Sequence, residues 1–166
     1  MATKSRATTF TTSIDLDAQT RDAMIALCNQ QLADSFDLYS QTKQAHWNVK
    51  GKDFFQLHKL FDQLAADTLE HVDLIAERAT ALGGYATGTV RMSATNSTLP
   101  EYPEDAVDGP EHLRALVERF AAYAATTRAG IDTADEAGDQ STADLFTEVS
   151  RDVDKNLWFL ETHLQG

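Results

Sequence analysis

Apolar residues recur at intervals of three and four along most of this chain, the spacing of a helix with one buried face. Ile25, Cys28, Leu32, Phe36 and Tyr39 predict a first helix that starts near Asp17 as N-cap, runs past His46 and ends at about Val49. Gly51 and Lys52 then mark a turn with Asp53 as cap. A second helix is predicted over 54–82, stopped by Gly83 and Gly84. Leu113, Leu116, Val117, Phe120 and Tyr123 predict a third, opened by Pro110 and ending near Gly138. Ser141 is placed to cap a fourth, which carries Leu145, Phe146, Val149, Val153, Leu157, Leu160 and Leu164. No segment reads as a strand and no internal repeat is present.

Residues 85–108 interrupt this pattern with Gly, Thr, Ser and Pro, including Pro100 and Pro103. The stretch is too long for a tight hairpin. As a crossover it lets the second and third helices run in the same direction, unlike an up-down-up-down bundle, with room for a short helix around Met92 to Asn96. The expected fold is therefore an all-α four-helix bundle with a long crossover carrying a short extra helix. With 166 residues, 42% of them hydrophobic, the chain can bury one core but not two comfortable ones. A flexible N-terminal tail over 1–13 and a single domain over 14–166 are expected.

Composition narrows the setting. Cys28 is the only cysteine, so no internal disulfide forms, and its neighbours Met24, Ile25, Leu27 and Leu32 make it a small core residue. No apolar run approaches the roughly 20 residues that span a bilayer, and Met1 to Thr12 is polar without a signal-peptide core. A cytoplasmic protein is expected, with nucleoid association open. A net charge of -12 argues against a general nucleic-acid-binding surface, which neutralises phosphates with Lys and Arg. The same charge suits attraction of cations, and equally solubility.

Candidate chemistry gathers on the predicted second helix. His58 and Asp62 are four residues apart, as are Asp73 and Glu77, so each pair occupies one face one turn apart and can approach a single ion. Asp62 and Asp73 point nearly the same way, yet at eleven residues' separation they lie roughly 16 Å apart along the axis. Donors at about 2 Å from a shared metal lie within about 4 Å of each other, so one ion cannot join the two pairs. An antiparallel copy of the helix across a two-fold axis would bring the His58/Asp62 end of one chain to the Asp73/Glu77 end of the other. Two equivalent sites would follow. His46, on the preceding helix, could reach over as a further ligand.

The competing reading is structural. Carboxylates on long helices are usually solvated, and Arg78 could supply a salt bridge to an acid bordering the apolar face formed by Leu57, Leu60, Phe61, Leu64, Val72, Ile75 and Ala76. Such a bridge does not account for two histidines on the same side. His71, His112 and His163 have no partner at ligand spacing and are expected at the surface, while Trp158 is expected in the core or an interface.

Two stretches carry a resemblance. His46-Trp47-Asn48-Val49-Lys50-Gly51, followed by Leu57, His58 and Asp62, resembles the first signature of the Dps family, the DNA-binding proteins from starved cells or mini-ferritins. Val72 to Arg78, followed by Leu82 and Gly83, resembles its second. Ser150 to Lys155 with Leu157, Trp158 and Phe159 is also similar to the family, and the likeness spans Asp17 to Leu164.

The resemblance implies a ferritin-like bundle assembled as a hollow homododecamer from two-fold dimers, with ferroxidase centres between subunits. His46, His58 and Asp62 would come from one chain and Asp73 and Glu77 from its partner. It implies oxidation of ferrous iron, preferentially by hydrogen peroxide, storage as ferric mineral and protection of DNA. Imidazoles keep affinity for Fe(II) and carboxylates stabilise Fe(III); zinc competes for such a donor set. By family position Trp47 lies near the centre, where it could pass an electron, beside the plainer role of interface packing. Asp135, Glu136, Asp139 and Asp144 sit where the family has an acidic three-fold pore, or else form a solvated, capping turn.

DNA attachment departs from the family pattern. Only Lys4 and Arg6 are basic before Ile14, and the chain closes on Leu164, Gln165 and Gly166 without a basic extension, so weak, salt-sensitive binding is expected. The alternative function is a nucleoid-compacting DNA-binding protein with little ferroxidase activity. A ferritin-like oxygenase or reductase with an intrachain di-metal centre ranks last, because the chain has no Glu-x-x-His pairs.

Overall fold

The structure, a computed structural model, describes residues 9–165, most of them in five helices. These are α1 (Ala18–Asn48), α2 (Phe54–Ala81), α3 (Val90–Asn96), α4 (Gly109–Glu136) and α5 (Gln140–Thr162). Among the described residues there is no strand, only an isolated bridge between Lys50 and Asp108. Lys4, Arg6 and the rest of 1–8 of the expected tail lie outside the described residues, as does Gly166.

Cross-helix hydrogen bonds establish the direction of each element. Gln31 of α1 donates to Thr127 of α4 at 2.6 Å, and further along α1 Gln41 accepts from Arg119 at 2.9 Å, so α1 and α4 are antiparallel. Asn156 of α5 donates to Asp67 of α2 at 3.2 Å, whereas Arg78, later in α2, donates to Asp139 just before α5 at 2.7 Å. Those two helices are antiparallel as well. The short connection at 49–53 turns α1 back into α2, so α2 and α4 run the same way and the segment between them is the expected crossover.

Capping chemistry explains the boundaries. The Asp17 carboxylate accepts from Thr20 N at 2.9 Å, and Asp108 with Glu111 forms a reciprocal capping box at the start of α4, where Pro110 needs no donor. Two caps differ from expectation. Asp139, not Ser141, caps α5, because its carboxylate reaches Thr142 N at 3.1 Å. Asp53 precedes α2 without a side-chain cap bond and accepts from the Gln56 amide instead. Gly83 ends α2 at φ +89°, and a side chain there would also collide with the Phe10 carbonyl, so the stop is steric as well as conformational.

Leu38, Phe61, Leu64, Ile75, Phe120, Tyr123, Phe146 and Val149 form the centre of the bundle. Burial of each large apolar side chain stabilises the fold by about 1.5–3 kcal/mol. Cys28 lies among them, and burial pushes its thiol up to about 12, consistent with packing and not reactivity.

The crossover is held by polar side chains of α1. Asn29 bonds the backbone at Tyr85 and Thr87, Asp34 accepts from Thr98 N at 2.6 Å, Asp37 accepts from Ser97, and Gln41 donates to the Pro100 carbonyl. Their spacing of three to five places them on one face of α1, so this helix carries a polar face that is nonetheless covered.

Several single-residue expectations are corrected by packing. His71 and His112 are buried, not superficial: α5 covers the first and the crossover's Tyr102 meets the second. His163 is exposed as expected. Trp158 is 59% exposed, which removes the core reading and leaves an outward-facing ring against Phe159.

A candidate metal centre between α1 and α2

His46 and His58 face each other across the two helices. His46 Nδ1 lies 2.7 Å from the His58 carbonyl, and His58 Nδ1 lies 2.9 Å from the His46 carbonyl. A carbonyl oxygen only accepts, so both Nδ1 atoms donate and Nε2 is the nitrogen of each ring left free for a ligand. The rings stack at 3.8 Å between centroids, with Phe54 against the outer face of His58 at 5.1 Å. Both imidazoles are therefore held in orientation and tautomer by backbone groups, as metal-binding histidines usually are.

Asp62 completes this end. Its Oδ1 is 3.8 Å from His46 Nε2, close to the separation of two donors that each lie about 2 Å from one ion. The same oxygen accepts from Lys43 Nζ at 2.7 Å, and the Lys43 ammonium holds the exposed Asp62 carboxyl below the usual carboxylate range. Lys43 was not singled out by spacing, although it stands one turn before His46.

Asp73 and Glu77 are on the same helix about three turns further on, both exposed, and do not approach the histidines of their own chain. Among the described residues, no three His, Cys, Asp or Glu side chains come close enough to hold one ion. Within one chain the two candidate groups thus stay apart. Leu69, before Asp73, and Leu74, directly after it, are 44% and 39% exposed.

Trp47 follows His46 in sequence and is 64% exposed, with Lys43 Nζ 5.8 Å from its ring centroid. Of the four acids near the α4–α5 turn, Asp135, Glu136 and Asp144 are exposed. Asp139 differs: it is 2% exposed and both its oxygens accept from Arg78 Nη2, at 2.7 and 2.8 Å. Burial raises its carboxyl, but the bonds from Arg78 and Thr142 outweigh that and hold it below the ordinary range. Asp139 is thereby committed to a structural pair, and the pore reading for it is withdrawn. Arg78 is likewise engaged here and does not neutralise the candidate ligands.

Comparison with known proteins is consistent across sequence and structure. Residues 25–166 match the ferritin-like domain family. A "DNA protection during starvation protein" of Agrobacterium fabrum is 45% identical over 95% of this chain and 97% of its own length. DpsC from Streptomyces coelicolor superposes with a TM-score of 0.91 at 32% identity, covering 99% of this chain and 96% of that one. A Dps protein from Vibrio cholerae, described as a member of a broad superfamily of ferritin-like diiron-carboxylate proteins, superposes with a TM-score of 0.87 at 29% identity over 96% and 99% of the two chains.

Proposed function

This chain belongs to the Dps family of ferritin-like proteins, and on that premise we propose that it oxidises ferrous iron at sites shared between two subunits and stores the ferric product inside a dodecameric shell. His46, His58 and Asp62 of one subunit would ligate the iron together with Asp73 and Glu77 from the adjacent one. The observation that carries this reading is the reciprocal bond between the two histidines, which directs two Nε2 lone pairs outward beside a carboxylate at a surface that one chain leaves incomplete. Imidazole binds Fe(II), the carboxylates stabilise the Fe(III) that forms, and zinc would compete for the same donors.

Hydrogen peroxide is the proposed oxidant. A pair of ferrous ions supplies the two electrons that reduce peroxide to water, so no hydroxyl radical is released and DNA is protected. The relatives named for DNA protection support that role. The chain's strong negative charge suits cation uptake better than contact with phosphate. The protein would act in the cytoplasm; among the described residues no helix is long and apolar enough to cross a membrane.

The test is anaerobic loading of the purified protein with ferrous iron, then a peroxide pulse followed by absorbance. Ferric iron retained in a large particle, in proportion to peroxide consumed, supports the reading. Condensation of DNA with no iron-dependent peroxide consumption would replace it with the nucleoid-compacting function.

A further inference from the structure

α2 and α5 meet along a polar seam that the candidate metal centre does not use. Asn156 Nδ2 donates to Asp67 Oδ2 at 3.2 Å, and one turn further along α2 His71 Nε2 stands 3.6 Å from Asp152 Oδ2. His71 is 3% exposed and Asn156 1%, whereas the Asp152 side chain reaches solvent. Asp67 stands four residues before His71 on the same face of α2, so this histidine does have a carboxylate at ligand spacing. His71 and Asp73 are about 200° apart around the helix, which puts the seam on the side of α2 away from the proposed shared ligands.

Two atoms of the seam are left over. An ionised carboxylate only accepts, so Asp67 fixes the Asn156 amide by its nitrogen, and Asp152 favours the imidazole proton on Nε2. The remaining atoms, Asn156 Oδ1 and His71 Nδ1, are both buried and have no hydrogen-bond partner among the described residues. Neither satisfies the other, because both are acceptors. A proton on Nδ1 would only exchange this for a buried donor with nothing to receive it.

We propose that His71 Nδ1, Asn156 Oδ1 and the Asp67 carboxylate form a second cation site, complete within one chain, that takes a single borderline divalent ion such as zinc, cobalt or ferrous iron. The amide oxygen takes the place of the third His, Cys, Asp or Glu that the chain does not bring together, and water entering past the half-buried Asp67 completes the shell.

The chemistry of the seam favours an ion over a lone bridging water. Asp67 and Asp152 bring two carboxylates, against which Lys155 sets one ammonium, 3.5 Å from Asp152 Oδ1. A water would donate to both orphaned acceptors and leave that excess negative charge as it is. A divalent ion meets both acceptors and offsets the charge as well. One imidazole nitrogen among oxygens suits zinc, cobalt or ferrous iron, whereas magnesium and calcium take oxygen alone. Asp152 behind the far nitrogen of His71 is also the arrangement that orients metal-binding imidazoles.

The test is anaerobic cobalt(II) titration of the assembled protein, followed by visible absorption, together with diffraction from cobalt-soaked crystals at the cobalt edge. The chain used carries His58→Ala and Glu77→Ala, which removes proposed shared ligands from both ends of α2, so failure here and failure of the ferroxidase reading are separate results. About one cobalt per chain should remain, with anomalous density against His71 Nδ1 at roughly 2 Å. Adding His71→Leu or Asn156→Leu should abolish it. Asn156→Asp, which keeps an oxygen donor, should retain it, and Asp152→Asn should weaken it by roughly 10-fold or more. Absence of the cobalt from the His58→Ala, Glu77→Ala chain, its full retention after His71→Leu, or density of a water alone between Nδ1 and Oδ1 would each overturn the proposal. Circular dichroism of the variants confirms that the bundle is intact.

Discussion

His46 and His58 are locked to each other through their own backbones, the ring of each bonded to the other's carbonyl at 2.7 and 2.9 Å. Removing one ring therefore disturbs two ligands. His58→Ala deletes one ligand, leaves the His46 carbonyl without its donor and strips the His46 ring of its stacking face. Metal affinity is expected to fall by at least the roughly 10- to 100-fold typical of lost orienting contacts, measured by anaerobic titration with ferrous iron or zinc. An undiminished affinity would place the site elsewhere.

Shared sites make a distinctive complementation prediction. A His58→Ala chain and a Glu77→Ala chain are each inactive alone. In a mixed dimer one site collects both lesions and the other collects neither. Random mixing at equal amounts should restore roughly a quarter of wild-type sites, because about half the dimers are mixed and each has one good site of two. Stopped-flow iron oxidation on co-assembled and separately assembled shells measures this, and absence of any recovery counts against intersubunit ligation.

Lys43 occupies the oxygen of Asp62 that faces His46. A divalent cation arriving there must displace the ammonium. Lys43→Met is expected to tighten zinc or ferrous binding by about two- to five-fold, the modest scale of exposed ion pairs. The gain should shrink as salt rises.

The Arg78–Asp139 pair ties α2 to the start of α5, with Asp139 2% exposed. Asp139→Asn keeps an acceptor for Thr142 but leaves the guanidinium unpaired, at a cost on the order of 3 kcal/mol at neutral pH. The sign with pH follows from the lowered carboxyl pKa. The pair's contribution is complete above the unfolded value of about 4 and is lost as pH falls through the folded value, so the gap in thermal stability between wild type and variant should close in acid. Scanning calorimetry at fixed protein concentration tests it; a gap that widens in acid would contradict the assignment.

With Asp139 removed from the group, Asp135, Glu136 and Asp144 remain as the acids of a proposed entry pore. Conversion of all three to Asn or Gln should slow iron uptake several-fold while leaving zinc affinity at the histidine site unchanged. Uptake kinetics equal to wild type would dismiss the pore.

Helix extents were legible from periodicity and caps because those are local properties: Asp17, Pro110 and Gly83 act on the few residues around them. The eleven-residue offset between Asp62 and Asp73 was legible too, since along a rigid helix sequence distance is spatial distance. What the chain in three dimensions decided was which polar groups meet. His71 carries no local mark of burial until α5 covers it, and Asp139 stays an ordinary turn acid until Arg78 of α2 arrives 61 residues earlier in sequence. The tautomer of His46 belongs to the same class, since the carbonyl that sets it belongs to the neighbouring helix. Periodicity reports how one helix faces its surroundings, whereas hydrogen bonding and desolvation depend on what those surroundings prove to be.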